Sequence, residues 1–145
     1  MIRVIAVCVF RNGDRILVAE GVDDVKRERF ARPLGGAVEQ GETASQAVVR
    51  EIREELRQNA IDLRLLGVLE NIFEYQGKPA HEVVFVYDGR LEDASCYDVP
   101  ELPMYEAGWS SPASWRALDA FGGDCRLVPE GLSELLGRPA GAKSE

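Results

Sequence analysis

The sequence predicts an α/β domain of the mixed α+β kind, and three observations carry that reading. Apolar runs rich in β-branched residues recur around turn signals, and one segment of the first half has helical periodicity behind a strong start signal. A short leucine stripe behind a proline closes the pattern. A chain of 145 residues is expected to form one domain, 1–145, with enough interior to bury a core without disulfides or a structural metal.

Ile2 to Phe10 is apolar, Asn12-Gly13 is a strong hairpin signal, and Ile16 to Ala19 is the answering strand. Gly21 to Arg29 is a charged run that reads as a solvated connection, with basic residues able to reach a phosphate. Thr43 suits an N-cap and Gln46, three residues on, completes a capping box, so a helix is expected from Ala44. Ile61 to Glu74 and Glu82 to Tyr87 are strand-like runs around the turn-prone Gln76-Gly77-Lys78-Pro79. His81 stands at the mouth of the second run, where a surface or capping role outweighs a catalytic one. Leu91 to Gly108 is long for a connection and carries Glu92, Asp93, Asp98, Glu101 and Glu106; long loops in compact domains are often functional. Ala113 to Leu118 reads as a last strand, with Trp109 and Trp115 as core or rim aromatics. Pro129 opens a short helix through Leu136, with Leu132, Leu135 and Leu136 as its apolar stripe, and the tail from Arg138 is expected to fray.

Bulk properties narrow the function. A net charge of -8 argues against a nucleic-acid backbone or an anionic membrane as principal partner. It leaves a phosphorylated substrate open, because a bound cation reverses the sign of a site locally. Cys8, Cys96 and Cys125 have no metal-ligand spacing and read as reduced thiols of a cytoplasmic protein. No signal peptide, membrane-spanning run or internal repeat is expected.

The helix carries the chemistry. At about 100° per residue, Ala44, Ala47, Val48, Ile52 and Leu56 fall in one core-facing arc, and Arg50, Arg53 and Arg57 gather opposite. Glu51 and Glu55 share the sector of Ala44 and Ala47, with Glu54 at its edge, so three carboxylates stand on neighbouring positions of one face. Like charges at that spacing cost roughly 0.2 to 0.5 kcal/mol when exposed, and unpaired burial costs more. A hard divalent cation removes the objection, since Mg²⁺ prefers oxygen ligands and sits between carboxylates and substrate phosphates. A solvated acidic face paired with its own arginines is the plainer alternative.

Gly36, five residues, Glu42, seven residues, then Arg50-Glu51-Ile52-Arg53-Glu54-Glu55 resembles the Nudix box, G-x5-E-x7-R-E-U-x-E-E-x-G-U with U aliphatic. Two positions depart from it: Arg57 stands where the family has glycine, and Gln58 where it has an aliphatic residue. Since that glycine normally ends the helix, the helix is expected to continue to Asn59. Proline also comes one place earlier than in the family's Pro-Gly-Gly turn, in Pro33-Leu34-Gly35-Gly36.

The resemblance implies an α/β/α sandwich around a mixed sheet and a hydrolase that cleaves the pyrophosphate linkage of a nucleoside diphosphate joined to another group. It implies that Glu51, Glu54 and Glu55 hold Mg²⁺ or Mn²⁺, with the carbonyl of Gly35 as a further ligand, and that Arg50 orients the glutamates while Glu42 supports the turn. Glu51 or Glu55 serves as general base. Arg32 and Gly36 are expected at the substrate, and Glu101 or Glu106 supplies an extra carboxylate. Selectivity is expected from 21–29, 71–80 and 91–110. The partner is a nucleotide-type small molecule, and homodimers occur among relatives. A nucleotide-sensing module that binds without cleaving is the alternative from another class, and an isomerase-like activity on a diphosphate ester is a third.

Overall fold

The first apolar run becomes β1 (Ile2–Asn12), whose alternation sends Ala6, Cys8 and Phe10 to one face and Ile5, Val7 and Val9 to the other. In this computed structural model the described residues are 1–105 and 111–137. Asn12 turns the chain into β2 (Arg15–Asp23), a second hairpin leads to β3 (Glu28–Arg32), and β4 (Leu34–Ala37) folds back against β1. The helix α1 (Ala44–Leu56) follows, then a long hairpin of β5 (Ala60–Tyr75) and β6 (Lys78–Leu91). Two residues form β7 (Glu101–Leu102), which pairs with β8 (Ala113–Ala117); β9 (Cys125–Leu127) and α2 (Leu132–Leu136) complete the described chain.

These strands join in one mixed sheet, ordered β5-β6-β1-β2-β3-β9, with β4 on β1 and β8 on β2. The β1–β6 and β3–β9 pairs are parallel and the others antiparallel. Ala47, Val48, Ile52 and Leu56 of α1 pack on one face, against Ala6, Cys8 and Leu34. Leu132 and Leu136 of α2 pack on the other, against Ile5, Val7, Val84 and Val86. The helix–sheet–helix layering is therefore present, and each helix lends the sheet the apolar stripe that its residues predict.

Five expectations are corrected. The charged run 21–29 is mostly strand, because β2 and β3 extend to Asp23 and Glu28 and leave only a short turn. The helix ends at Leu56, not at Asn59: Arg57 itself adopts the left-handed conformation, φ 56°, and its N–H caps the carbonyl of Arg53. The long connection after Leu91 contains a 3₁₀ turn, Ala94–Asp98, and β7. Finally, β8 is not the last strand, and α2 begins at Leu132 because Gly131, at φ 92°, cannot lie inside a right-handed helix. Trp115 is buried as expected and donates from Nε1 to the carbonyl of Cys96 at 3.1 Å. Glu106, Trp109 and the tail from 138 lie outside the described residues.

Candidate active site

The site begins with two glycines that allow backbone and carboxylate to approach. A Cβ on Gly35 would lie 2.1 Å from the carbonyl oxygen of Ala6, so only glycine fits where β4 crosses β1. A Cβ on Gly36 would lie 2.5 Å from Cδ of Glu51, so Gly36 makes room for that side chain. The N–H of Gly35 turns toward α1 and donates to Oε1 of Glu55 at 3.1 Å.

The capping box starts α1 where its residues say it should. Gln46 N–H donates to Oγ1 of Thr43 at 3.2 Å, and Thr43 N–H donates to Oε1 of Gln46 at 2.8 Å. With the helix phase set in this way, Glu51 and Glu55 are turned inward, at 8% and 1% exposure, beside Ala47 and Ile52. Glu54 stays at the edge with its side chain 48% exposed. The three carboxylates therefore sit where the 3.6-residue period assigns them.

Arg50 is not on a solvated side, as the angular count suggested, but is the hub of the cluster. Its Nε and Nη2 donate to both oxygens of Glu42 at 2.8 and 3.0 Å, a bidentate fork. Nη2 also reaches the carbonyl of Ala37 at 2.9 Å, while Nη1 donates to Glu51 at 2.9 Å and lies 3.3 Å from Glu54. A long side chain can leave the helix on one side and bend back, which angles counted at Cα do not capture. Arg50 hydrogen-bonding and the N–H of Glu39 hold the Glu42 carboxyl far down, at about 2. In return the hydrogen bonds that Arg50 donates to Glu42 push the guanidinium further into its charged form; partial burial opposes this, and Glu51 adds to it.

The donor set at this site consists of oxygen alone, as a hard divalent cation requires. Two of its carboxylates are buried four residues apart on one helix face, an arrangement that positive charge must balance. Arg50 supplies part of that charge to Glu51 and Glu54. Among the described residues no three acidic, His or Cys side chains stand at metal-ligating spacing. The donors match such an ion in chemistry and in the helix face they share, but not in their spacing.

On the sheet face where α2 packs opens a cleft of about 850 Å³, whose lining includes neither glycine of the turn and no carboxylate of the cluster. Its floor is the sheet face carrying Ile5, Val7 and Val84, and its walls carry Arg32, Phe30, Phe73 and Tyr75. Arg32 thus lines the cleft three residues before Gly35. Of the three segments expected to govern selectivity, 21–29 and 71–80 contribute walls, and no described residue of 91–110 does. Arg126, Val128, Pro129 and Glu130, which the sequence reading did not place at a site, contribute as well. Their only signal was the break before α2.

The remaining candidates lie apart from the cluster. Glu101 is exposed on β7, opposite Ser114, and has no hydrogen bond or ion pair to the cluster among the described residues. His81 hydrogen-bonds Glu70 at 3.0 Å across the β5–β6 hairpin, a surface contact. Cys8, Cys96 and Cys125 are free and buried, and burial raises all three thiols above their ordinary value, so none is poised as a nucleophile. Sequence reasoning missed Tyr105, whose N–H donates to the carbonyl of Glu55 at 2.8 Å and whose ring carries Arg57 at 4.0 Å.

Comparison with known proteins agrees with this geometry. The sequence profile described as NUDIX domain matches residues 1–120. A MutT NUDIX hydrolase from Burkholderia pseudomallei is similar in structure, with a TM-score of 0.67 and 25% identity over 94% of this chain and 97% of that one. A NUDIX hydrolase from Nitrosomonas europaea superposes with a TM-score of 0.58 at 20% identity, over 83% of this chain and 75% of that one.

Proposed function

We propose, from the premise that the chain belongs to the Nudix family and is a hydrolase of pyrophosphate bonds, that its substrate is a nucleoside diphosphate linked to a further group. The observation that carries this reading is the cluster itself: Arg50 clamps Glu42, Glu51 and Ala37, and the buried Glu51 and Glu55 lie against the glycine turn. Mg²⁺ or Mn²⁺ held by Glu51, Glu54, Glu55 and the Gly35 carbonyl would neutralise phosphate charge and acidify bound water.

The chain's own groups supply the rest. Arg50 fixes the direction of Glu51 through a charge-assisted hydrogen bond, so that carboxylate loses little freedom when substrate arrives. Glu55 accepts the N–H of Gly35 through one oxygen, which fixes its carboxylate at the glycine turn as a candidate base. Arg32 in the cleft wall supplies positive charge to the phosphates, and Phe30, Phe73 and Tyr75 supply apolar and aromatic surface to the group beyond them. Glu101 and Glu106 are the downstream acids from which a further base would come. No described helix is long and apolar enough to cross a membrane, and a cytoplasmic protein, acting alone or as a homodimer, fits this reading.

The test is release of phosphate or pyrophosphate from a panel of nucleoside triphosphates, dinucleoside polyphosphates and nucleotide sugars with Mg²⁺ or Mn²⁺. Turnover of one class is expected, and Glu54→Gln and Glu55→Gln should each reduce kcat by about 100-fold or more. Tight binding of a panel member without turnover would instead mark a sensing module.

A further inference from the structure

Arg57 stops α1 in a conformation that disfavours it. Its φ of 56° lies in the left-handed region, which glycine enters freely and a residue with a Cβ does not. The Nudix pattern has glycine at this place, and this chain keeps the more strained residue. Strain of that kind at a site points to a task for the side chain.

The task is visible in what the side chain reaches. The Arg57 guanidinium lies 4.0 Å from the centre of the Tyr105 ring, and the N–H of Tyr105 donates to the carbonyl of Glu55 at 2.8 Å. That carbonyl is among the last four of α1, which no further turn of helix can satisfy. Tyr105 is 47% exposed, so core packing does not fix its ring. The same connecting segment meets the end of α1 once more: Asn59 accepts from Arg53 at 2.8 Å and donates to Glu92 at 3.1 Å.

Glu55 is thereby tied on both sides of its Cα. Tyr105 takes its carbonyl, and the N–H of Gly35 donates to its Oε1 at 3.1 Å. It is the last residue but one of α1, and helix ends open more readily than helix middles. Opening of that turn would carry the carboxylate off the glycine turn.

We propose that the Arg57–Tyr105 contact is a positioning device: it keeps the final turn of α1 closed and so holds the Glu55 carboxylate on Gly35. This rests on the reading of Glu55 as a metal ligand or base. Arg57 and Tyr105 are positioning residues that act through Glu55.

Three substitutions test it. Arg57→Gly removes the guanidinium while relieving the backbone, Tyr105→Ala removes the ring, and Tyr105→Phe keeps it. Amide exchange of Gly35 is followed by NMR in the metal-free protein, with the Gln46 amide, held by Thr43 at the start of the same helix, as internal reference. Mn²⁺ binding is measured by calorimetry. In Arg57→Gly and Tyr105→Ala the Gly35 amide should exchange about threefold or more faster and the Kd for Mn²⁺ should rise about threefold or more, with Gln46 unchanged. The double variant should be no worse than either single one, and Tyr105→Phe should stay within about 1.5-fold of wild type. Unchanged Gly35 exchange, equal acceleration at Gln46, a Kd for Mn²⁺ that ignores the variants, failure of Tyr105→Phe to rescue, or losses that multiply in the double variant overturns the proposal. Absence of Mn²⁺ binding to the wild type would count against the metal reading of the cluster alone, because Gly35 exchange still decides whether the contact holds Glu55.

Discussion

Gly35 and Gly36 are neighbours with different obligations, and single substitutions separate them. The Cβ of Gly36→Ala would meet the end of the Glu51 side chain, a flexible group that can move aside. The fold should survive, with a change in unfolding free energy of about 1 kcal/mol or less, while kcat/KM falls about 10- to 100-fold because the displaced carboxylate leaves its productive position. Gly35→Ala would set its Cβ against the backbone of Ala6 and Val7, which cannot yield, and should not fold cooperatively. Circular dichroism melts run beside steady-state kinetics separate the two outcomes. Arg50 teaches the complementary lesson: the motif names it, but only coordinates show one guanidinium joining Glu42, Ala37, Glu51 and Glu54.

For α1 as an element, the start was legible and the stop was not. A capping box is a local device, complete within Thr43 to Gln46, so residues alone locate it. The stop is a non-glycine residue in the left-handed region, which costs about 1 kcal/mol or more without compensation. Here the compensation comes from elsewhere in the chain, as Tyr105 docks on the carbonyl of Glu55 and takes the Arg57 guanidinium on its ring. Arg57→Ala keeps the backbone cost and loses the ring contact, and should lower stability by about 0.5 to 1 kcal/mol. Arg57→Gly loses the same contact but relieves the backbone, so its deficit should be smaller. Urea unfolding of the three proteins checks the order, and a glycine variant less stable than the alanine variant would overturn the account.

Across the whole molecule, acid stability follows from carboxylates held low by their partners. The folded value for Glu42, about 2, lies below its ordinary 4.5. Its contribution is therefore present in full above about pH 4.5 and disappears as pH falls through about 2. Asp23 acts in the same sense: burial alone would raise it, but the N–H groups of Lys26, Gln76 and Val25 outweigh burial and hold it below the ordinary carboxylate value. Wild type and Glu42→Gln should thus differ in urea midpoint at pH 6, with the difference narrowing between about pH 4.5 and 2. A gap that stays constant over that interval would show that Glu42 does not titrate with folding.

The sequence by itself determined what is periodic or local: the paired strands, the phase and start of α1, the inward turn of Glu51 and Glu55, and the spacing of Gly36, Glu42 and Arg50 that the family profile shares. Tertiary structure decided what depends on groups distant along the chain. The parallel pairing of β9 with β3, the left-handed stop at Arg57 and the joining of two hairpin tips through Asp23 and Gln76 all rest on partners dozens of residues away. Hydrogen bonds across such separations leave no period in the sequence, because their cost and gain are settled only when the sheet has brought the partners together.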